Sequence, residues 1–348
     1  MRRLPYVAGL DYGSFILQLW RLSMETFFLV VGLVLLVAGA ELLVRGASRL
    51  AAAFGIPPLV IGLTVVAFGT SAPELAVSLA SSFANQPDIA VGNVIGSNIF
   101  NILAILGLSA LITPLAVQQQ LIRLDVPLMI GISVVTYLMA LNGRIGRIEG
   151  LLLAAGIIAY TFFLIRKSRR ESQSIVDEYA MEYGKGTPAR LASLLGNVAL
   201  VGVGLGLLVL GSDWLVKGAV DIATRLGVDE LVIGLTIVAA GTSLPELATS
   251  VVAGLRGERD IAVGNVIGSN LFNLMSVLGF AAVVSPKGLS VATTSLRVDL
   301  PVMLVASVAC LPIFMRCHRI SRMEGLLFFA GYVGYTSYLV WSASMAAQ

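Results

Sequence analysis

The sequence predicts an all-α integral membrane protein, with ten transmembrane helices arranged as two inverted five-helix repeats. The first observation is composition, because 57% of the 348 residues are hydrophobic and only 12% are charged. Such a chain is too apolar for an ordinary soluble protein. The second is a series of ten apolar runs, each long enough to cross a hydrocarbon core of about 30 Å. The third is an internal repeat that relates the two halves of the chain.

The apolar runs divide the chain into four segments. Residues 1–24 form an N-terminal extension, which we expect to be unstructured or to follow a misplaced start codon. Residues 25–166 form the first five-helix repeat, 167–191 a linker too short for a folded regulatory domain, and 192–348 the second repeat. The predicted spans are 25–53, 59–82, 90–113, 122–141, 148–166, 192–222, 231–254, 262–283, 297–316 and 323–343.

The repeat determines how the two halves are oriented. Residues 62–78 match residues 234–250 at 13 of 17 positions, and residues 88–101 match 260–273 at 13 of 14. Because each half has an odd number of spans and the linker adds no crossing, the halves face opposite sides of the membrane. With the linker in the cytoplasm, 14 of the 23 Lys and Arg residues lie inside. This positive-inside bias predicts a cell membrane protein with both termini outside.

A polar interruption near the middle of the second span carries the predicted chemistry. Gly69-Thr70-Ser71-Ala72-Pro73-Glu74 returns as Gly241-Thr242-Ser243-Leu244-Pro245-Glu246. Gly and Pro so close together favour a broken helix, and we expect the first helix to stop at Gly69, with its last carbonyls facing a cation. An ionisable side chain at this depth is functional by default. A single copy of the motif is compatible with a kinked packing helix, but two copies in inverted halves favour function.

A second repeated motif begins the next span in each half. Ser97 and Asn101 are four residues apart and share a helix face, as do Ser269 and Asn273. These side chains either ligate an ion or join helices by hydrogen bonds. Asn98 and Asn270, one position away, are expected to brace the helices.

The candidate donors are all hard oxygens, from carboxylates, hydroxyls, amides and carbonyls. This set suits Ca²⁺, which takes six to eight oxygens, and Na⁺ can use the same ligands. It suits Zn²⁺ or Cu(I) poorly, because no Cys–His cluster accompanies it. Two carboxylates nearly neutralise one Ca²⁺, or serve several monovalent ions in turn, which is a physical basis for exchange. Glu41 and Asp213 match between the halves but lie near helix ends, so a structural ion pair with Arg45 or Lys217 explains them at least as well as a functional role. Glu149 and Glu324 are interpreted as helix-start residues.

These paired motifs resemble the α-repeats of the calcium/cation antiporter superfamily, and most closely those of prokaryotic sodium/calcium exchangers. The resemblance extends over nearly the whole chain from about residue 25. It implies ten transmembrane helices and exchange of cytoplasmic Ca²⁺ for external Na⁺ at a mid-membrane site, without a cofactor. It also implies that the long first and sixth helices are a gating pair that slides over a rigid core.

The resemblance implies a ligand set from both halves. Its members are Thr70, Ser71, Glu74, Ser97, Asn101, Thr242, Ser243, Glu246 and Ser269, with the carbonyls of Ala67 and Ala239. Several members of the superfamily have Asp where this chain has Asn273, so the site has one fewer potential charge. This difference bears on ion stoichiometry, on dependence on K⁺ and on the choice between Na⁺ and H⁺.

Three other functions remain open to test. An H⁺/Ca²⁺ or K⁺-dependent Na⁺/Ca²⁺ exchanger of the same superfamily would be distinguished by its driving ion. A cation channel is less compatible with inverted broken helices. An intramembrane enzyme is disfavoured because Ser71 and Ser243 have no His or Lys base at their depth. Apart from the bilayer and the transported ions, the sequence indicates neither a nucleic acid nor an obligate protein partner.

Overall fold

Helices make up almost all of the computed structural model, which describes residues 12–168, 191–228 and 230–346. Most of the predicted linker and residues 1–11 therefore lie outside the described residues. The first half contains α1 (Tyr12–Phe54), α2 (Pro58–Thr70), α3 (Ala72–Phe83), α4 (Pro87–Ile112), α5 (Leu121–Ala140) and α6 (Arg147–Ser168). The second contains α7 (Leu191–Arg225), α8 (230–241), α9 (Leu244–Leu255), α10 (Arg259–Val284), α11 (295–317) and α12 (Arg322–Ala346).

Helix α1 differs from the prediction at its start. It begins at Tyr12, so the second half of the predicted extension is helical and continuous with the first span. The expectation of an unstructured segment is therefore wrong for residues 12–24. The sequence reason is visible in retrospect, because an apolar stretch from Phe15 to Trp20 precedes the span without an intervening Gly or Pro.

Seven helices are long and apolar enough to cross a membrane, or eight if the bent pair α2–α3 counts as one span, within the described residues. Two predicted spans, 231–254 and 323–343, are not among them, so the ten-span arrangement stays a prediction. The central helices are α4 and α10, where 78% and 83% of the most apolar stretch is buried. In the other five single-helix spans this share is 28–39%, which leaves wide apolar faces for lipid.

Helices α1 and α7 pack antiparallel along a line of glycines. A Cβ atom at Gly32 would lie 2.8 Å from the carbonyl oxygen of Gly211, and one at Gly39 would lie 2.8 Å from that of Gly204. Real side chains do not fit at these distances, so the backbones approach as closely as small residues allow. Gly204 and Gly211 occupy the repeat positions of Gly32 and Gly39, so the same contact is made twice with the roles exchanged.

Other contacts between the halves show the same reciprocity. Strand β1 (Leu115–Ala116) pairs with β4 (Arg319–Ile320), and β2 (Arg144–Ile145) pairs with β3 (Leu289–Ser290). Each pair joins the first strand of one half to the second strand of the other. Contacts that exchange in this way are the signature of an approximate two-fold axis between the halves.

Four acidic residues for which the sequence suggested structural roles make the expected contacts. Glu41 forms an ion pair with Arg45 and also contacts Arg256, while Asp213 pairs with Lys217 at 2.6 Å. At the starts of α6 and α12, Glu149 accepts the backbone N–H of Gly146 and Glu324 that of Ser321. These helix-start carboxylates accept hydrogen bonds from backbone N–H groups that have no partner within the helix. The suggested structural contacts of all four acidic residues are therefore confirmed.

Candidate ion-binding site

The first helix break lies one residue later than the sequence suggested. Helix α2 continues through Gly69 to Thr70, and α3 begins at Ala72 with Pro73 in its first turn. Between them Ser71 leaves helical geometry, with φ −82° and ψ 7°. The expectation that the helix stops at Gly69 is therefore wrong. Proline causes the break, because it has no N–H to donate and its ring clashes with the carbonyl four residues earlier.

The same break follows α8 in the second half. That helix ends at Gly241, and Ser243 has φ −93° and ψ 7° before Pro245 enters the first turn of α9. The first break bends the chain by 44°. In each half the serine thus leaves the helix just before the carboxylate, which lies in the first turn of the following helix.

Both carboxylates are buried and face the opposite half of the protein. Ser243 donates its hydroxyl to Oε1 of Glu74 at 2.8 Å, and Ser71 donates to Oε1 of Glu246 at 2.9 Å. Each Oε2 atom is buried without a hydrogen-bond partner among the described residues. The repeat motifs therefore meet, and together they enclose two acidic groups.

Two asparagines that the sequence analysis did not single out hold these segments in place. Asn93 donates to the carbonyl of Glu74 and to the hydroxyl of Ser78, and Asn265 does the same for Glu246 and Ser250. Their position directly after the repeated Gly in both halves was a usable signal.

The same two asparagines also accept hydrogen bonds from the threonines at the helix breaks. Thr70 donates to Oδ1 of Asn265 at 3.1 Å, and Thr242 donates to Oδ1 of Asn93 at 3.4 Å. Each threonine therefore bonds the helix of the other half. These contacts tie α2 to α10 and the break after α8 to α4.

The next turn of α4 and α10 adds a second layer of polar atoms. The hydroxyls of Ser97 and Ser269 are buried without hydrogen-bond partners in the described part of the chain. Asn101 donates Nδ2 to Oδ1 of Asn270 at 3.0 Å, and its own Oδ1 has no partner. Both side-chain polar atoms of Asn273 lack one too. Unpaired buried oxygens of this kind are costly, and a bound cation would relieve that cost.

The two predicted carbonyl ligands differ in their surroundings. Ala67 is fully buried and its carbonyl accepts the backbone N–H of Ser71 at 3.0 Å. Ala239 is exposed, and Ser243 instead donates its backbone N–H to Ala240. Thr70 is buried whereas Thr242 is only half-buried. The predicted ligands are therefore more exposed beside α8 than beside α2.

Glycines on the central helices show that the two halves differ in packing. A Cβ atom at Gly268 of α10 would lie 2.8 Å from Ala67 Cβ and from Leu63 Cα, and one at Gly264 would lie 3.0 Å from the carbonyl oxygen of Leu59. Helix α2 is thus closed against α10. At Gly92 and Gly96, the equivalent positions on α4, no atom of the described residues lies within 4 Å of a Cβ atom. Helix α8 therefore does not pack on these glycines as α2 packs on Gly264 and Gly268.

Comparison with known proteins agrees with this arrangement. The family described as sodium/calcium exchanger protein matches residues 24–166 and 196–341. The chain belongs to the sodium/calcium exchanger family. The exchanger is 41% identical over 325 residues to CaxA of Alkalimonas amylolytica, a candidate antiporter, covering 92% of this chain and 99% of that protein. It is 34% identical over 344 residues to the sodium/calcium exchanger MaX1 of Methanosarcina acetivorans, covering 90% and 98%.

A solved structure has the same fold. The sodium-calcium exchanger NCX_Mj, in crystals soaked with zero Na⁺ and Ca²⁺, superposes with a TM-score of 0.77 at 31% identity, covering 91% of this chain and 99% of that one. The predicted resemblance is therefore confirmed, and the exchanger is a multi-pass membrane cation antiporter and not an enzyme.

Proposed function

We propose that the exchanger carries Ca²⁺ in one direction and Na⁺ in the other through a single site at mid-membrane. The observation that supports it best is the reciprocal pair of hydrogen bonds, Ser71 to Glu246 and Ser243 to Glu74. They bring two acidic groups from opposite halves into one buried volume and leave one oxygen of each without a partner. A divalent cation between them would balance both charges.

The proposed ligands form two layers around the carboxylates. Hydroxyls and carbonyls at the breaks form the first layer, and side chains on α4 and α10 form the second. The ligands proposed are Glu74, Glu246, Thr70, Ser71, Thr242, Ser243, Ser97, Ser269, Asn101, Asn273 and the carbonyls of Ala67 and Ala239. All are hard oxygen donors, which favours Ca²⁺ and Na⁺ over softer metals. With an amide at Asn273, only two carboxylates supply charge to the bound ions.

The membrane arrangement that fits best is a ten-helix inverted repeat. The antiparallel contact of α1 with α7 and the reciprocal strand pairs support it, because equivalent elements that run in opposite directions require an axis in the membrane plane. The positive-inside bias places the linker in the cytoplasm and both termini outside. In that orientation the glycines of α4 on which α8 does not close lie toward the outside, and the closed contact of α2 with α10 faces the cytoplasm.

Alternating access then follows from charge and symmetry. Two unneutralised carboxylates in a low-dielectric interior make the conversion between the two states costly, and a bound cation removes that cost. The protein therefore converts when loaded with Ca²⁺ or Na⁺ and resists conversion when empty, which is the condition for exchange. The long antiparallel pair α1–α7 would slide as a unit over the central helices during conversion.

Transport in liposomes tests this proposal. We expect ⁴⁵Ca²⁺ uptake driven by an outward Na⁺ gradient in the wild type, and its loss in Glu74→Gln and in Glu246→Gln. Asp213→Asn is the matched control, because it removes a carboxylate from an exposed ion pair that contributes little. Normal uptake by either glutamine variant would exclude the site. Uptake driven by a pH gradient but not by Na⁺ would instead identify an H⁺/Ca²⁺ exchanger, and unsaturable flux without a counter-ion would identify a channel.

A further inference from the structure

We propose that Asn270 is a positioning residue for ion binding, because it determines which end of the Asn101 amide faces the ion. This inference rests on the proposed function, in which Asn101 is a ligand. It concerns a side chain that is not in the proposed ligand set and that acts only through its neighbour. The hydrogen bond from Asn101 Nδ2 to Asn270 Oδ1, at 3.0 Å, is the contact that carries it.

An asparagine side chain has two chemically opposite ends. Its oxygen can ligate a cation, while its NH₂ group repels one. The two ends have nearly the same shape, so packing alone does not select between them. In the exchanger, Asn270 accepts from the NH₂ end of Asn101, and the Asn101 oxygen is left buried without a partner. The selected orientation is the one that a cation requires.

Asn270 can make this selection because its own orientation is determined by fixed groups. Its Nδ2 lies 3.5 Å from the backbone carbonyl oxygen of Asn98 and 3.6 Å from Sδ of Met129, and it donates to both. Asn98 lies on α4 and Met129 on α5, so both acceptors come from the first half. With its donor end occupied, Asn270 presents only its oxygen to Asn101.

The equivalent asparagines in the other half do not form this hydrogen-bond arrangement. By the repeat, Asn98 corresponds to Asn270 and Asn273 to Asn101, yet every side-chain polar atom of Asn98 and Asn273 is without a hydrogen-bond partner among the described residues. Asn98 is therefore a matched control. It is an equally buried asparagine at the same motif position, and its side chain has no bond to Asn101.

A double-mutant cycle tests the inference on the purified full chain, with ⁴⁵Ca²⁺ as the probe in equilibrium binding and with thermal unfolding to confirm folding. We expect Asn270→Leu to weaken Ca²⁺ binding about tenfold, the size of one lost hydrogen bond. In an Asn101→Asp background both ends of the side chain are oxygens and orientation no longer matters. There Asn270→Leu should change the affinity by less than about twofold.

The control and the remaining outcomes separate the two proposals. Asn98→Leu should have the same effect in both backgrounds, because the Asn98 side chain makes no hydrogen bond with the Asn101 side chain. Equal effects of Asn270→Leu in both backgrounds would overturn the positioning role while leaving the proposed function intact. If Asn101→Leu itself does not alter Ca²⁺ affinity, Asn101 is not a ligand, and the inference fails together with that part of the proposed site.

Discussion

Glycine-to-alanine substitutions on α10 and α4 should move the exchanger between its two access states in opposite directions. At Gly268 an added Cβ would lie 2.8 Å from Leu63 Cα and Ala67 Cβ, closer than real contacts allow. At Gly96, the equivalent residue on α4, the same atom meets nothing within 4 Å. Alanine at position 268 therefore penalises the state in which α2 is closed on α10, and alanine at position 96 does not.

The size of the effect follows from the geometry. Overpacking by one methyl group against backbone and a small side chain costs about 1–3 kcal/mol. A two-state equilibrium shifts by a factor of about 5–150 for that difference. Gly268→Ala should therefore depopulate the present state by that factor. Gly96→Ala should leave it unchanged and penalise the opposite state, in which α8 would close on α4.

Cysteine accessibility measures this equilibrium directly. In a background that lacks Cys310 and Cys317, Ala239→Cys places a thiol at a position that is exposed in the present state. We expect Gly268→Ala to slow its modification by a membrane-impermeant maleimide, and Gly96→Ala not to slow it. If both variants fold and both slow modification equally, or if neither differs from the parent, the two glycines do not report the closure of α2 and α8.

Two further predictions concern protonation and the asparagines at the breaks. Lowering the pH protonates Glu74 and Glu246 and removes the charge that holds Ca²⁺, so Ca²⁺ uptake should fall as the pH decreases from about 8 to 5; uptake that is flat over this range would count against the carboxylate site. Asn265→Leu should destabilise the protein by about 1–3 kcal/mol, because it removes the hydrogen bonds that Asn265 makes with the Glu246 carbonyl and with the hydroxyls of Ser250 and Thr70. Thermal unfolding in detergent should show a smaller loss for Asn98→Leu, and the reverse order would contradict the bonding described here.

Much of the site could be predicted because each repeat carries its chemistry in a short segment. A buried carboxylate next to Gly and Pro is conspicuous in an apolar span, and its second copy indicated that Glu74 and Glu246 act together. The structural roles of Glu149 and Glu324 could also be predicted, because a carboxylate in the first turn of a helix can accept hydrogen bonds from the backbone N–H groups at the start of that helix.

Features that depend on contacts between distant segments could not be predicted from the sequence. Asn93 and Asn265 lie in the matching segments 88–101 and 260–273, but their role depends on threonines and carbonyls that approach only when the chain is folded. The pairing of Asn101 with Asn270 has the same origin. The first helix break was predicted one residue too early, because a helix can continue through Gly69 but not through Pro73.

The sequence by itself determined the family, the membrane class and the identity of the acidic residues, because these follow from composition and from a repeated local motif. Only the tertiary structure decided how tightly each half closes on the central helices. Residues 88–101 and 260–273 differ at one of 14 positions, yet Gly268 is packed against α2 while a Cβ atom at Gly96 would meet no atom of the described residues within 4 Å. Two nearly identical segments cannot encode that difference locally. It arises from the helices that pack against them, because α2 closes on α10 and α8 does not close on α4 in the same way.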